Sequence, residues 1–390
     1  MLSRVLLVGG PDVDARIELM RRLMDFKLLA AGTSRRLVGT FSMAGLEFHY
    51  YPMTRGLNPI RDLYSFLSLT VLFLRLKPHI VHTYDTKPAV FARIAARLAR
   101  VPIVIGTLPG LGSLYSGNDP KSAWIRRIYE PLQKLSCHLS DLTIFQNPED
   151  TELFIQKRIV PRQKTATLPG SGVDVKQFDP RRSDYRERKT LRANLGLDDF
   201  SIIVIMISRL LRSKGVLEFA DVARSIKDAH PDIAFLLAGQ DDPESMDALT
   251  ETEKEHLQRS VTWLGPRNDI PQLLALSDIF TLPTYYREGI PRVLLEAASM
   301  GLPIVTTQSP GCMEVVEQNM NGFLTPARDE NALKDAILKL ALDPSLRRRM
   351  GETSRQRAVA RFDLSIIAQQ TASIYRHLLA RKGYGNPAHP

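Results

Sequence analysis

The feature of this sequence that most restricts its fold is a regular alternation of short apolar runs with longer amphipathic stretches. Apolar runs rich in β-branched residues predict strands at 4–8, 79–82, 102–106, 142–146 and 165–168, then at 201–207, 233–238, 261–264, 279–282 and 304–307. Stretches with helical periodicity lie between them, at 89–99, 216–229, 271–277 and 291–300. Apolar strands separated by helices predict an α/β fold with parallel sheets covered on both faces.

The length of the chain predicts more than one domain. At 390 residues it exceeds the size of one ordinary core,. Segment 178–198 is charged, contains proline and lacks apolar runs, which is typical of a linker followed by a short helix. We therefore expect a basic first domain at 1–180, a second domain at 181–362, and a C-terminal region at 363–390 that begins with an amphipathic helix.

The charge is uneven along the chain. The net charge is +10, and residues 1–180 contain 24 Lys and Arg against 15 Asp and Glu, so that half alone carries +9. A basic half attracts phosphates, nucleic acid or an anionic membrane surface, although a solvated surface that keeps the protein in solution accounts for the same composition. Two distant cysteines, Cys137 and Cys312, argue against a disulfide scaffold or a zinc cluster and are typical of a reducing compartment such as the cytoplasm,.

Two apolar segments need a specific interpretation. The run at 4–8 ends at Gly9, Gly10 and Pro11, which predicts a first strand rather than a signal peptide,. The longest apolar segment, 63–74, is interrupted by tyrosine, serine and threonine and is shorter than a membrane span,. We expect it to form a buried or interfacial helix.

The segment 282–301 (LPTYYREGIPRVLLEAASMG) contains a loop followed by a helix. Pro291 occupies the position of a first helical residue and Gly301 that of a terminating glycine,. The amides at the helix N-terminus form a site for an anion or for sugar hydroxyls. Glu288 before the helix and Glu296 inside it would face the strand ends, where open α/β sheets bind ligands, and carboxylates there suit the hydroxyls of a ribose or a sugar. The alternative is that Glu296 is a solvated surface residue.

The segment 208–215 (SRLLRSKG) follows a predicted strand and contains two cations five residues apart. Arg209 supplies a planar fork of donors and Lys214 a compact positive charge, and Gly215 opens the next helix,. This arrangement suits a diphosphate. The alternative is an ordinary basic turn.

Together these segments resemble the retaining GT-B glycosyltransferases of family 4. The resemblance is carried by SRLLRSKG at 208–215, WLGPRND at 263–269, LPTYYREGIPRVLLEAASMGLPIVTT at 282–307 and SPGCMEVVEQNMNGFLTP at 309–326. The segments 77–107 and 170–180 in the first half are similar to the same family. The resemblance implies a GT-B architecture: two Rossmann-like, doubly wound parallel-sheet domains facing across a cleft, with the C-terminal helix crossing back to the first domain.

The resemblance also implies roles for individual residues. Arg209 and Lys214 would bind the donor diphosphate and stabilise charge on the leaving group, Glu288 would hold the donor sugar, and Glu296 would accept from the ribose hydroxyls. The remaining donor-binding positions would contribute backbone or allow close approach: Gly265, Gly289, Ile290, Pro291 and, from the first domain, Gly10. Arg209, Lys214 and Glu288 are the expected catalytic residues.

No cofactor and no metal are expected, since fixed cations replace the metal in stabilising a nucleotide diphosphate leaving group. The expected substrate is a nucleotide diphosphate sugar, with UDP favoured over GDP. Asp12-Val13-Asp14 matches the DxD motif of metal-dependent transferases and remains an alternative.

The first domain departs from the family at one place. Many members carry a histidine after the strand equivalent to 102–107, whereas this chain has Thr107-Leu108-Pro109-Gly110. The loop 110–112 (GLG) is similar to that of a subset acting on polyprenyl-linked sugars. The resemblance thus implies an acceptor glycan linked to polyprenyl diphosphate, in cell-surface polysaccharide synthesis.

The sequence also leaves room for other functions. A nucleotide-sugar epimerase or hydrolase on the same fold needs a further general base in the first domain, for which no residue stands out. A dinucleotide-dependent oxidoreductase or a non-catalytic nucleotide-binding module should show G-x-G-x-x-G, a spacing that residues 9–12 lack,. Nucleic-acid binding is supported by charge alone, and we expect no nucleic-acid partner.

The segment 111–138 predicts where the protein works. It combines apolar and aromatic residues with cations: Leu114, Tyr115, Trp124, Ile125, Ile128 and Leu132, with Lys121, Arg126, Arg127 and Lys134. Such a mixture suits a face resting on an anionic bilayer, or equally a core-packed helix with a basic outer side. We expect a cytoplasmic protein that is peripheral on the inner face of the membrane.

Overall fold

The computed structural model describes residues 2–54, 58–112, 115, 120–197, 201–245 and 247–384, with residues 120–122 described by their backbone only. The chain forms two compact units, Met1–Gly170 with Leu364–Pro390, and Ser171–Asp363. The division falls before residue 180 because the intervening residues belong to the second core. Val173 donates its N–H to the Phe362 carbonyl at 2.9 Å, and Phe178 is buried in the same cluster.

The first unit is built on a seven-stranded parallel sheet with the order β3-β2-β1-β4-β5-β6-β7. Its strands are β1 (Ser3–Val8), β2 (Phe26–Gly32), β3 (Glu47–Tyr50), β4 (Ile80–Thr83), β5 (Ile103–Leu108), β6 (Leu142–Phe145) and β7 (Thr165–Thr167). Its helices are α1 (Ile17–Arg22), α2 (Leu37–Met43), α3 (Pro59–Leu76), α4 (Lys87–Leu98), α5 (Pro120–Leu139), α6 (Pro148–Gln156) and α15 (Leu364–Arg381).

Helices cover both faces of this sheet, as the apolar strands predict. Val5 and Leu7 of β1 pack in one cluster with α1 and α15, whereas Leu6 and Val8 pack in another with α3 and α4. The final helix α15 therefore belongs to the first unit, which confirms the expected return of the chain.

The second unit is built on a six-stranded parallel sheet with the order β10-β9-β8-β11-β12-β13. Its strands are β8 (Ile202–Ile207), β9 (Ile233–Ala238), β10 (Thr262–Trp263), β11 (Ile279–Leu282), β12 (Ile304–Thr307) and β13 (Gly322–Thr325). Its helices are α7 (Tyr185–Asn194), α8 (Val216–Lys227), α9 (Glu251–Ser260), α10 (Ile270–Leu276), α11 (Arg292–Ser299), α12 (Pro310–Val315), α13 (Glu330–Leu342) and α14 (Pro344–Arg361).

The apolar segment 63–74 lies within α3. Among the described helices, α3 included, none has the length and apolar character needed to cross a bilayer.

Candidate active site

The order of strands in the second unit reverses beside β8. From β8 the chain adds β9 and β10 on one side, and then β11, β12 and β13 on the other. The carboxyl ends of the two strands at such a reversal diverge, and open α/β sheets bind ligands in the crevice left there. The loops after β8 and β11 contain the two motifs singled out in the sequence, so the topology brings them together.

Lys214 and Glu288 form the centre of this site. The Lys214 Nζ lies 2.5 Å from Glu288 Oε1 and 5.0 Å from the centre of the Tyr286 ring. The Lys214 side chain is 11% exposed and that of Glu288 is 21% exposed. The sequence predicted both residues for the site, and the structure joins them although 74 positions separate them.

The carbonyl of Ser213 holds the two loops together. It accepts from the N–H groups of Tyr285 and Tyr286 at 2.8 and 3.0 Å, and from the Thr284 hydroxyl at 3.1 Å. Asp247 in turn accepts the Ser213 N–H at 2.8 Å. Sequence reasoning missed this link, because a backbone carbonyl leaves no residue-type signal.

Arg209 lies on the same loop and has a carboxylate partner. Its Nη1 is 2.6 Å from Asp242 Oδ2, and its side chain is 42% exposed while that of Asp242 is 11% exposed. Asp242 follows β9 at the same edge of the sheet. Its position after a predicted strand was the available signal for a residue that the sequence analysis did not single out.

Glu296 lies on α11 and is 7% exposed. Its Oε1 accepts from Arg292 Nε at 2.9 Å. Burial raises the pKa of Glu296 and Arg292 opposes that rise. Glu296 is therefore buried and ion-paired, which excludes the alternative of a solvated surface residue.

The helix α11 begins one residue later than expected. Pro291 is its N-cap, with extended ψ of 119°, and Arg292 is the first helical residue. Its last residue is Ser299, one before the predicted 300. Gly301 is the terminating glycine, as predicted: its φ is +74°, and the Leu302 N–H donates to the Ala297 carbonyl at 3.1 Å,.

The loop before α11 is closely packed, with Gly289, Ile290 and Pro291 all buried. The N-terminal turn of α12 presses against it, since a Cβ on Gly311 would lie 1.3 Å from the Gly289 carbonyl oxygen. Only glycine fits at Gly311, because any side chain would displace the loop that carries Glu288.

Gly265 follows β10 and accepts through its carbonyl from the Gly239 N–H at 2.9 Å. Its φ is +67° and no heavy atom lies within 4 Å of a Cβ placed there. The backbone of Gly265 is thus open on that side, which is compatible with its expected role beside a nucleobase.

Gly10 lies in the first unit, at the equivalent reversal between β1 and β4. Its N–H donates to Asp85 Oδ2 at 2.6 Å. Asp85 follows β4 and has a φ of +68°, a left-handed conformation that is uncommon for a non-glycine residue,. The proximity of Gly10 to a donor remains a prediction.

His82 is a structural residue of the first unit. Its Nδ1 is 2.6 Å from the Tyr375 hydroxyl and its Nε2 is 2.7 Å from the Thr107 hydroxyl. Burial, with smaller effects of Arg16 and Arg93, lowers the pKa of His82 to about 3. Both ring nitrogens are engaged, so His82 does not replace the histidine that the 107–110 loop lacks.

The DxD match lies outside the β8–β11 site, in the turn after β1. Over the described ranges, no three His, Cys, Asp or Glu side chains are grouped closely enough to hold a metal ion.

Two doubly wound parallel sheets, with paired cations and carboxylates at the reversal of the second, define a glycosyltransferase of GT-B architecture. The family model for glycosyl transferases group 1 matches residues 187–357, and the glycosyl transferase 4-like domain matches residues 16–170. The chain belongs to this family of group 1 glycosyl transferases.

Two curated relatives are similar over most of their length. The UDP-Gal:alpha-D-GlcNAc-diphosphoundecaprenol alpha-1,3-galactosyltransferase of Escherichia coli is 31% identical, over 85% of this chain and 83% of its own. The N,N'-diacetylbacillosaminyl-diphospho-undecaprenol alpha-1,3-N-acetylgalactosaminyltransferase of Campylobacter jejuni is 31% identical over 86% and 87%.

Solved structures share the fold. Anabaena HepE in complex with UDP and glucose superposes with a TM-score of 0.80 at 20% identity, covering 96% of this chain and 99% of its own. A glycosyltransferase from Rickettsia africae superposes with a TM-score of 0.79 at 19% identity, over 97% and 99%.

Proposed function

We propose that this glycosyltransferase moves a sugar from a UDP-sugar, with retention of configuration and without a metal ion, to a glycan linked to polyprenyl diphosphate. The observation that carries the proposal is the cluster of Arg209, Lys214 and Glu288 at the strand reversal of the second unit. A nucleotide diphosphate sugar bound at this reversal would meet two cations and a carboxylate.

The two cations act on the leaving group. Breaking the bond between sugar and diphosphate leaves new negative charge on the phosphate oxygens, and preorganised cations stabilise that charge. Arg209 is paired with Asp242, and Lys214 is paired with Glu288. Each cation is thereby held on a short loop, and the diphosphate competes with a carboxylate for it.

The two glutamates act on hydroxyls. Glu288 accepts from the hydroxyls of the reacting sugar, and its pairing with Lys214 holds the carboxylate in position. Glu296 accepts from the ribose diol, fixed in position by Arg292. Amides at the start of α11 complete the donor site with their partial positive charge.

Retention and the donor class draw support from the relatives. Both curated relatives are named as alpha-1,3-transferases, and the Escherichia coli protein is named for UDP-Gal. An α product from an α-configured nucleotide sugar means net retention. Metal independence is supported by the cations, which supply the charge that a divalent ion would provide.

The same two relatives support the proposed acceptor and the proposed location of the enzyme. Both relatives are named for sugars on diphospho-undecaprenol, a lipid carrier. An acceptor of this kind requires the enzyme to work at a membrane surface, and the first 180 residues carry the +9 charge that an anionic leaflet attracts,. We therefore place the protein at the cytoplasmic face of the membrane.

The experiment is a thermal-shift and turnover screen of UDP- and GDP-sugars with and without EDTA. One or more UDP-sugars should raise the melting temperature, and transfer to a short-chain polyprenyl diphosphate sugar should persist in EDTA. Loss of transfer in EDTA that Mn²⁺ restores would assign a metal role to Asp12 and Asp14 instead.

A further inference from the structure

The outer face of helix α3 presents an apolar stripe to solvent. Six large apolar side chains of this helix have exposed fractions between 52% and 83%: Ile60, Leu63, Tyr64, Leu67, Val71 and Leu74. With 3.6 residues per turn they lie within an arc of about 100° and extend for about 21 Å along the helix. The buried side of α3 is opposite, formed by Ser65, Leu69, Leu72 and Phe73.

A surface helix normally buries its apolar stripe and exposes a polar one. Helix α3 instead has apolar residues on both sides, one against the sheet and one outside. Single exposed apolar residues are ordinary, whereas a contiguous stripe marks an interaction surface. The segment 63–74, which we expected to form a buried or an interfacial helix, therefore has one buried apolar side and one apolar side that is free for an interface.

Helix α5 repeats the pattern. Four apolar side chains of α5 are 40–59% exposed and recur at intervals of four, four and three residues: Trp124, Ile128, Leu132 and Leu135. Gln133, Ser136 and Cys137 are buried on the opposite side. Of the segment 111–138 singled out in the sequence, Leu114 and the side chain of Lys121 lie outside the described residues.

The two stripes belong to one surface. Helix α4 packs against both α3 and α5, so the three helices lie side by side on the same face of the first unit's sheet. We name the exposed apolar stripes of α3 and α5, with the cations beside them, the α3/α5 face.

The charge of the α3/α5 face is of one sign. Its exposed cations are Arg61, Arg75, Lys77, Arg127 and Lys134. The acid of α3, Asp62, is buried and pairs with Lys87 at 2.6 Å, and the acid of α5, Glu130, pairs with Lys157 at 2.6 Å. No acidic residue in the described parts of α3, α4 and α5 is exposed.

We propose that the α3/α5 face inserts its two apolar stripes into the headgroup region of an anionic bilayer. Helices of this kind lie in the plane of the interface, with the apolar side among acyl chains and cations against anionic headgroups. Tyr64 and Trp124 are amphipathic side chains suited to that depth. A second copy of the chain fits poorly, because an isologous contact would bring the same unbalanced cations together.

This inference rests on the proposed function for its purpose, since a lipid-linked acceptor requires the enzyme to reach the bilayer. It adds that docking depends on apolar insertion and not on charge alone. The prediction from charge invoked α5, whereas the longer exposed stripe is on α3.

The test is flotation of the full chain with vesicles of phosphatidylcholine, with or without phosphatidylglycerol. The wild type should bind the anionic vesicles, and part of this binding should persist at high salt. The variant Leu67→Glu/Val71→Glu should lower vesicle partitioning by about tenfold or more, because the two introduced carboxylates would have to enter the apolar part of the interface. Trp124 fluorescence should shift to the blue on binding, and Trp124→Phe should remove the shift.

The matched control is Leu342→Glu/Val359→Glu, which makes the same chemical change at exposed positions of the second unit. It should bind vesicles as the wild type does. Equal losses in both variants, or a wild type that ignores anionic vesicles at low salt, would overturn the proposal. The proposal would also be overturned if the wild type formed a dimer and bound no lipid, and if the α3 variant alone dissociated that dimer.

Transfer to a short-chain acceptor in detergent solution is measured in parallel. If the protein transfers sugar but does not bind vesicles, the docking proposal is wrong and the proposed function stands. If it binds vesicles but transfers sugar from no donor, the proposed function is wrong and the docking proposal stands.

Discussion

At the scale of single residues, the proposed donor site consists of charges held in opposed pairs. Arg209 faces Asp242 and Lys214 faces Glu288, so neither cation is available without competition. We expect a diphosphate with two or more negative oxygens to replace one carboxylate at each cation with a denser charge.

The two cations should be separable from general effects of charge. Arg209→Ala and Lys214→Ala should each cost about 2–4 kcal/mol of transition-state stabilisation, the range for one preorganised electrostatic group. Both should weaken UDP binding far more than uridine binding. Arg224→Ala, which removes a positive charge from an exposed position on α8 of the same unit, should leave kcat/KM unchanged. Unchanged turnover in both site variants would show that Arg209 and Lys214 do not act on the leaving group.

The two glutamates should differ in the kinetic constant they affect. Glu296→Gln should raise the KM for the donor, because its partners belong to the ribose, which does not react. Glu288→Gln should mainly lower kcat, because its partners belong to the reacting sugar. Glu255→Gln on the exposed surface of α9 is the control. The opposite pattern would mean that the two roles are exchanged.

At the scale of elements, the sequence predicts ten of the thirteen strands in the described part of the chain, each from its apolar run. The strands β9, β11 and β12 match their predicted bounds, 233–238, 279–282 and 304–307. Three strands were not predicted. β2 ends in Ala-Ala-Gly, β3 is a four-residue edge strand with two charged or polar residues, and β13 is an edge strand that begins with glycine.

These omissions have a physical cause. Glycine, alanine and glutamate have weak β-propensity, and pairing with neighbouring strands imposes the extended conformation on β2, β3 and β13,. The same reason limits site prediction. Arg209, Lys214, Glu288 and Glu296 could be singled out by residue type and spacing, whereas Asp242 and the Ser213 carbonyl join the site only because β8, β9 and β11 end at one edge.

The packing of α12 on the loop before α11 gives a prediction at this scale. Gly311→Ala should lower the melting temperature and kcat together, because the added Cβ would overlap the Gly289 carbonyl and push Glu288 out of place. An alanine in a helix is otherwise favoured over glycine by about 0.5–1 kcal/mol. Gly39→Ala in α2, where a Cβ meets nothing within 4 Å, should therefore keep or raise stability. Equal stability and turnover in both variants would contradict the packing argument.

At the scale of the whole molecule, the two units differ in charge and in the roles proposed for them. The expected donor groups other than Gly10 lie in the second unit, whose charge is close to balanced, while the first unit contains the α3/α5 face and most of the excess positive charge. The division suits the proposed reaction between a dissolved donor and an acceptor held in a membrane.

The most direct measurement of the central claim is the configuration of the product. Purified protein in EDTA is given an α-configured UDP-sugar and a short-chain polyprenyl diphosphate sugar, and the new linkage is read from its one-bond carbon–proton coupling by NMR. We predict an α linkage, formed by the wild type and strongly reduced in the Lys214→Ala variant. A β linkage, or an α linkage formed equally well without Lys214, would contradict a retaining transfer driven by the cations of the second unit.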